Sequence, residues 1–156
     1  MLPKFVTRAL FAALIALPLL STAKAGPAED AQAVFSKFFP AFAAHNQAEV
    51  AAMFAPDAQF YGTSSTELVT KPEGILRYFT AALDVGSTLQ ARPLQVTSTA
   101  LSDSVVLIAG MWEVERTLAG TTAVLGPLRM SAVLQKRNDR WLVVQFHSSR
   151  PDLSSP

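Results

Sequence analysis

The fold of this chain is decided by the stretch Val105-Val-Leu-Ile-Ala-Gly-Met-Trp112, which is apolar throughout. Successive side chains of a β-strand point to opposite faces of the sheet, so the odd-numbered and the even-numbered residues of this stretch form two separate faces. Both faces are apolar. Because an antiparallel sheet that meets water on one side normally carries polar residues there, the stretch predicts a strand in a sheet that is covered on both sides.

Three further strands are predicted around this one. From Ser87 onward, runs rich in Thr, Val, Leu and Ile are divided by turn-forming residues at 102–103, 118–120 and 138–139. These breaks predict four antiparallel strands over residues 88–101, 104–117, 122–136 and 140–149. Gly126-Pro127 predicts a bulge in the third strand, because proline has no N–H to donate to the ladder.

Helices are predicted ahead of these strands. Phe35, Phe38, Phe39 and Phe42 share one face of a helix over residues 29–46, and Pro40 predicts a kink in it. A second, short helix is expected over 47–55, followed by a brief strand at 59–61.

The third helix is predicted from a capping box, Thr70-Lys-Pro-Glu73, and is expected to end near Gly86. Its predicted apolar stripe consists of Ile75, Leu76, Phe79 and Leu83. Three helices followed by a curved antiparallel meander predict an α+β fold with one helical layer on one sheet.

The N-terminal residues predict export. Lys4 and Arg8 precede an apolar run of about a dozen residues, and Ala23-Lys-Ala25 fits the small-x-small cleavage rule. The run is shorter than the roughly 18 residues that cross a bilayer. We therefore expect a cleaved signal peptide over 1–25, a single domain over 26–151, a disordered tail over 152–156, and a periplasmic or secreted protein that makes no membrane contact after cleavage.

Composition narrows the partners and cofactors. Of 13 basic residues, three lie in 1–25, which leaves 10 basic and 12 acidic residues and no basic run, so no nucleic-acid partner is expected. The chain has no cysteine and only two histidines, His45 and His147. Neither a phosphate-binding glycine loop nor a dinucleotide fingerprint is present. We expect no metal and no cofactor.

Several segments resemble one known superfamily: Phe54-Ala-Pro-Asp-Ala58, Ile75-Leu-Arg-Tyr-Phe79, Arg129, and Trp141-Leu-Val-Val-Gln-Phe-His-Ser-Ser149 with Pro151. Over residues 28–151 the chain resembles the nuclear transport factor 2-like (NTF2-like) superfamily, which includes SnoaL-like proteins. Within it, the chain is most similar to the SgcJ/EcaC group, related to the calcium/calmodulin-dependent kinase II association domain and to ketosteroid isomerase-like proteins. The resemblance implies a cone-shaped fold, with three N-terminal helices packed on the curved sheet around an apolar pocket.

Two residues are the main candidates for polar anchors in that pocket. The planar guanidinium of Arg129 suits a carboxylate or phosphate, and the resemblance implies that an arginine here points into the cavity. His147 has an ordinary pKa near 6.5 that suits hydrogen bonding or proton transfer, and Ser149 shares its strand face. The structural alternatives are a salt bridge at the sheet edge and a histidine that satisfies a turn.

Other residues suit acid-base chemistry. Glu113 and Glu115 lie two apart on one strand face, a spacing that brings carboxylates together and raises one pKa. Tyr61 and Tyr78 offer phenolic donors for an oxyanion. The simpler interpretations are a solvated hairpin end and two tyrosines at the edge of the core.

Three hypotheses follow. The first is an exported protein that binds a small apolar or anionic molecule through Arg129, His147, Tyr61, Tyr78 and Ser149. The second is an isomerase-like or cyclase-like enzyme with His147, Glu113 or Tyr61 as catalytic candidates and neither metal nor nucleotide cofactor. The third is an oligomerisation module without a ligand. Under all three, the second apolar face of the sheet predicts a homodimer.

Overall fold

Residues 25–83 and 86–151 are described by a computed structural model of the chain. The elements in chain order are α1 (Pro27–Phe35), α2 (Phe38–Ala43), α3 (Gln47–Ala52), β1 (Phe54–Tyr61), α4 (Pro72–Ala82), β2 (Thr88–Ser102), β3 (Val105–Leu118), β4 (Thr121–Arg137) and β5 (Arg140–Ser149). The predicted tail and, apart from Ala25, the predicted signal peptide lie outside the described residues. Among the described helices, none has the length and apolarity needed to cross a membrane.

The strands form one five-stranded sheet in the order β1-β5-β4-β3-β2. β1 runs parallel to β5, and the other neighbours are antiparallel. The four long strands agree with their predicted bounds to within a residue or two, because turn residues with positive φ separate them: Ala119 and Gly120 in one hairpin, Asn138 and Asp139 in the next. The predicted α+β class, with helices packed on a curved and mostly antiparallel sheet, is confirmed.

The first predicted helix is divided into α1 and α2. Pro40 has no N–H to donate to the carbonyl of Ser36, and its ring crowds that carbonyl. The helix breaks there, at Ser36 and Lys37, so the predicted kink appears as an interruption just before the proline. The second predicted helix is three residues shorter than expected, because β1 begins at Phe54 and pairs there with Val143.

The predicted ends of the third helix are wrong. Its N-cap is Lys71, with Pro72 in the first turn and no side-chain capping hydrogen bond, so Thr70 does not cap it. The helix ends at Ala82, before Gly86. Ile75 and Phe79 are buried as expected, but Leu76 is 41% exposed.

Two of the bulges in the sheet, one in β4 and one in β5, bear on the sequence analysis. In β4, Gly126 and Pro127 together lie opposite Glu113 of β3, as the proline predicted. In β5, Gln145 pairs with Val133 while Val143 pairs with Leu134, so Val144 is an extra residue. Sequence analysis did not predict this second bulge.

The core lies between the helices and the side of the sheet that they cover, called here the inner face; the opposite side is the outer face. Phe38 is the hub of the core, with its ring 5.6–6.0 Å from six other aromatic rings. Those rings come from both layers: Phe35, Phe39, Phe42, Phe79, Trp112 and Phe146. Ring pairs at these distances add to the stability that burial provides.

Candidate ligand-binding site

A cavity of about 210 Å³ lies between the helices and the inner face. Its apolar wall consists of Phe38, Phe42, Phe60, Phe79, Ala82, Leu89, Trp112, Val114, Leu125, Leu128 and Phe146. The other residues that line it are Gly62, Thr63, Ser64, Tyr78, Arg116, Ser148 and Arg150. A mostly apolar cavity with aromatic walls and a few polar groups is the usual composition of a small-molecule site.

One wall depends on a glycine. A Cβ atom on Gly62 would lie 2.1 Å from Cζ of Tyr78, closer than any real contact. The absence of a side chain at Gly62 lets the Tyr78 ring pack on the backbone after β1, 4.8 Å from the ring of Phe60. The Tyr78 hydroxyl accepts hydrogen bonds from the backbone N–H and the hydroxyl of Ser64, each at 3.4 Å. Tyr78 therefore closes the cavity on the side of α4.

A short chain of polar groups crosses the inner face. The indole N–H of Trp112 donates to Ser148 Oγ at 3.1 Å, and Ser148 Oγ lies 2.8 Å from Thr63 Oγ1 in a second hydrogen bond. Ser148 is buried, with 3% of its surface exposed. These two hydrogen bonds hold the hydroxyl groups of Ser148 and Thr63 in fixed positions on the cavity wall.

Two arginines also line the cavity. Arg116 shares its face of β3 with Trp112 and Val114, and its side chain is half-buried. Arg150 directly follows β5, two residues after Ser148, and it lines the cavity although its side chain is exposed. Guanidinium groups beside aromatic walls suit a ligand that combines an apolar body with an acid group.

The predicted anchors lie elsewhere. Arg129, His147 and Ser149 line a shallow depression on the outer face, and Arg129 and His147 are exposed. Tyr61 is 42% exposed beside them, with its ring 6.2 Å from that of His147. Arg129 Nη2 donates to the carbonyl of Arg150 at 2.9 Å. Of the five predicted ligand-binding residues, four thus cluster on the outer face, and Tyr78 alone lines the cavity.

The extra residue in β5 explains this placement. Trp141 and Val143 point inward, and strict alternation from them would also turn Gln145, His147 and Ser149 inward. Because Val144 is inserted, Phe146 and Ser148 are the buried residues instead. On β4, Leu128 and Met130 are buried, so Arg129 between them points outward. Inward orientation of Arg129 and His147 was therefore wrong.

The predicted carboxylate pair lies on the outer face too. Glu113 accepts a hydrogen bond from Arg92 Nε at 2.6 Å and forms an ion pair with that guanidinium. Glu113 therefore has a structural partner, and neither it nor Glu115 lines the cavity. Among the described residues, no group of three or more His, Cys, Asp or Glu is placed to hold a metal.

Sequence reasoning missed Thr63, Arg116, Ser148 and Arg150. Arg116 carried a readable signal, because strict alternation from Trp112 through Val114 turns it to the same face. Ser148 and Arg150 carried no such signal, since the bulge at Val144 reverses the alternation that precedes them.

A helical layer over a curved sheet with an apolar cavity between them defines the NTF2-like class of α+β proteins. The sequence matches the model of the SnoaL-like domain over residues 31–152. This chain belongs to the SnoaL-like domain family, which confirms the resemblance to the NTF2-like superfamily. No curated protein matches it.

Solved structures agree on the fold. A putative calcium/calmodulin-dependent protein kinase II association domain from Xanthomonas campestris is 26% identical, with a TM-score of 0.72 over 94% of this chain and 99% of that chain. A putative dehydratase of the NTF2-like family from Streptomyces avermitilis is 11% identical, with a TM-score of 0.70 over 80% and 96%. ActVI-ORFA from Streptomyces coelicolor is 15% identical, with a TM-score of 0.66 over 76% and 92%.

Proposed function

We propose that this chain is an exported protein that binds a small apolar acid in the cavity, with Arg116 and Arg150 beside the acid group. The observation that carries the proposal is the presence of two arginines on an otherwise largely apolar wall. Cavities for drug-sized ligands span about 300–1,000 Å³, so a volume of about 210 Å³ suits a smaller molecule. The expected signal peptide over residues 1–25 supports export.

The residues proposed here as anchors for the ligand differ from those predicted from sequence. Arg129 and His147 lie on the outer face, where a ligand in the cavity does not reach them. Arg116 and Arg150 supply the positive charge that Arg129 was expected to supply. Tyr78, which packs against Phe60 and Phe79, keeps its predicted role as a ligand-binding residue.

Phenylbutyrate, an aromatic ring on a short chain that ends in a carboxylate, is a suitable first probe. We expect it to raise the melting temperature of the chain from Gly26 to Pro156, since a ligand at a hundred times its Kd stabilises a fold by about 2.7 kcal/mol. The double variant Arg116→Gln, Arg150→Gln should bind it roughly 10- to 100-fold more weakly, because hydrogen bonds to charged groups contribute about 1.5–3 kcal/mol.

Arg129→Gln is the matched control, since it removes the same group from the other side of the sheet. Its affinity for phenylbutyrate should equal that of the unaltered chain in isothermal titration calorimetry. Loss of binding in Arg129→Gln, with normal binding in the double variant, would restore the anchor that sequence analysis favoured and overturn our assignment.

Assembly through the outer face is a second proposal, and one observation favours it. Leu107, Met111 and Val133 are half-buried apolar residues of that face, and no described helix covers them. A twofold copy of the same sheet would cover these residues on both subunits. The similar protein from Xanthomonas campestris is named as a putative association domain, and that name supports oligomerisation of the same fold.

The isomerase or cyclase hypothesis ranks lower. Its three catalytic candidates, His147, Glu113 and Tyr61, lie on the outer face of the sheet rather than on the cavity wall. A catalytic group must reach the atom whose proton it moves, at about 2.6–3.2 Å or through one water. Binding in the cavity is therefore the function that this geometry supports best.

A further inference from the structure

The hydrogen-bonded chain of Trp112, Ser148 and Thr63 contains one polar hydrogen more than its two hydrogen bonds use. An indole N–H only donates, whereas a hydroxyl both donates and accepts. The three groups together carry three polar hydrogens, and the two bonds that join them use two. Among the described residues, neither hydroxyl makes any further hydrogen bond.

The surplus does not depend on which hydroxyl donates. If Thr63 donates to Ser148, the hydrogen of Ser148 is left over; if Ser148 donates to Thr63, the hydrogen of Thr63 is left over. Trp112 fixes the indole end of the chain, because it always donates to Ser148. In either arrangement one O–H is left to donate from the cavity wall.

The surplus hydrogen is costly to leave unbonded when Ser148 carries it, because Ser148 is buried, whereas Thr63 is half-buried. The cavity wall around it is mostly apolar, with Phe38, Phe60 and Phe146 among its members. A buried donor without an acceptor costs about 1–3 kcal/mol. A ligand that places an oxygen acceptor there removes that cost, whereas a ligand with a methylene at the same place does not.

We propose that the Trp112–Ser148–Thr63 chain recognises a carbonyl oxygen, and that the ligand is an aromatic oxo acid. This inference rests on the proposed function, because the acid group is assigned to Arg116 and Arg150. Arg150 is two residues beyond Ser148 and also lines the cavity, a separation of roughly 7 Å at the strand rise. The carbonyl and the carboxylate of the ligand are therefore only a few bonds apart.

A pair of matched probes tests the inference. Benzoylpropionate and phenylbutyrate share the ring, the chain length and the carboxylate, and differ by one ketone oxygen in place of two hydrogens. Isothermal titration calorimetry on the unaltered chain should show benzoylpropionate binding roughly fivefold more tightly, the ratio that one net hydrogen bond of about 1 kcal/mol gives.

The variant Ser148→Ala, Thr63→Val removes both hydroxyls at nearly constant volume. Its affinities for the two probes should become equal, with phenylbutyrate binding changed little. The control, Ser131→Ala, Thr97→Val, removes the same two kinds of hydroxyl from the outer face and should keep the fivefold preference. Thermal melting establishes that each variant is folded before it is titrated.

The outcomes separate the two proposals. Equal binding of the two probes to the unaltered chain would overturn the carbonyl site and leave the acid site standing, without need of any variant. A preference that persists in Ser148→Ala, Thr63→Val, or that disappears in the control, would also overturn it. Failure of both probes to bind the unaltered chain would overturn the proposed function together with this inference.

Discussion

Ser148 and Ser149 are neighbours in the chain, yet they belong to two different surfaces. Ser148 is buried on the inner face, bonded to Trp112 and Thr63 at the wall of an aromatic cavity. Ser149 lies on the outer face, in a shallow depression beside Arg129 and His147. The inner face is covered by the helices of the same chain, whereas no described helix covers the outer face. What covers each face, rather than the type of residue, decides its role.

The largest expected difference between the faces is in stability. Phe38→Ala should lower the free energy of unfolding by about 3–5 kcal/mol, because it empties the centre of the aromatic core. Leu107→Ala, on the outer face, should cost about 1 kcal/mol in a monomer, where half-burial limits the loss. Urea unfolding at low protein concentration measures both. Equal losses would show that the outer face is as deeply buried in solution as the core.

A charged substitution in the outer face tests whether that face, unlike the inner face, is an interface between two copies of the chain. Leu107→Glu places a carboxylate at the centre of the outer face, between its ladder neighbours Thr99 and Val133. Burying that charge in a sheet-to-sheet interface is unfavourable, and we expect the dimer to weaken by more than tenfold, which corresponds to about 1.4 kcal/mol. Light scattering at micromolar concentration measures the change.

Leu76→Glu is the control for assembly, because Leu76 is an exposed leucine on α4, away from the sheet. Its mass in solution should match that of the unaltered chain. A monomeric mass for the unaltered chain itself would contradict the proposed dimer.

The smallest expected effect lies at the border of the sheet. Arg137 binds Asp57 through two hydrogen bonds, at 2.6 and 3.2 Å, and this contact lowers the pKa of the Asp57 carboxyl below its ordinary 3.8. A lowered carboxyl pKa stabilises the fold above the ordinary value, and that contribution disappears as the pH falls through the lowered pKa. Neither side chain is buried, so the effect is small and salt weakens it.

Thermal melting from pH 7 to pH 2 checks this prediction. Asp57→Asn should melt slightly below the unaltered chain at pH 7, and the difference should vanish at the acid end. A difference that stays constant over the whole range would contradict the assignment. Phe38→Ala, whose loss comes from apolar contacts, should show a penalty that does not follow this titration.

The strands of the sheet could be predicted because the sequence signals that define a strand and its ends are local. Turn residues such as Asn138 and Asp139 mark the ends of strands, and runs of Val, Leu and Ile fill them. The break in the first helix was equally readable from Pro40. The start of α4 was not, because Thr70 has the right chemistry for a cap while Pro72 fixes the helix start one residue later.

The site was harder to predict because it depends on which face each strand residue occupies. Arg129 was assigned to the cavity from the family resemblance, although its neighbours Leu128 and Met130 have the apolar alternation of a buried face. His147 follows a bulge that no proline or glycine marks. Tyr78 was proposed for its phenolic hydroxyl, and it does line the cavity.

The extra residue at Val144 changes which residues of β5 face the interior. Before it, odd-numbered residues of β5 belong to the interior; after it, even-numbered residues do. Deletion of Val144 would leave Phe146 and Ser148 inward, because the shortened strand would alternate without interruption from Val143. Loss of the bulge with every residue retained would instead turn Gln145 and His147 inward, so an imidazole would replace the hydroxyl of Ser148 on the cavity wall. The bulge, and not the set of residues in β5, therefore decides which polar group the cavity wall presents.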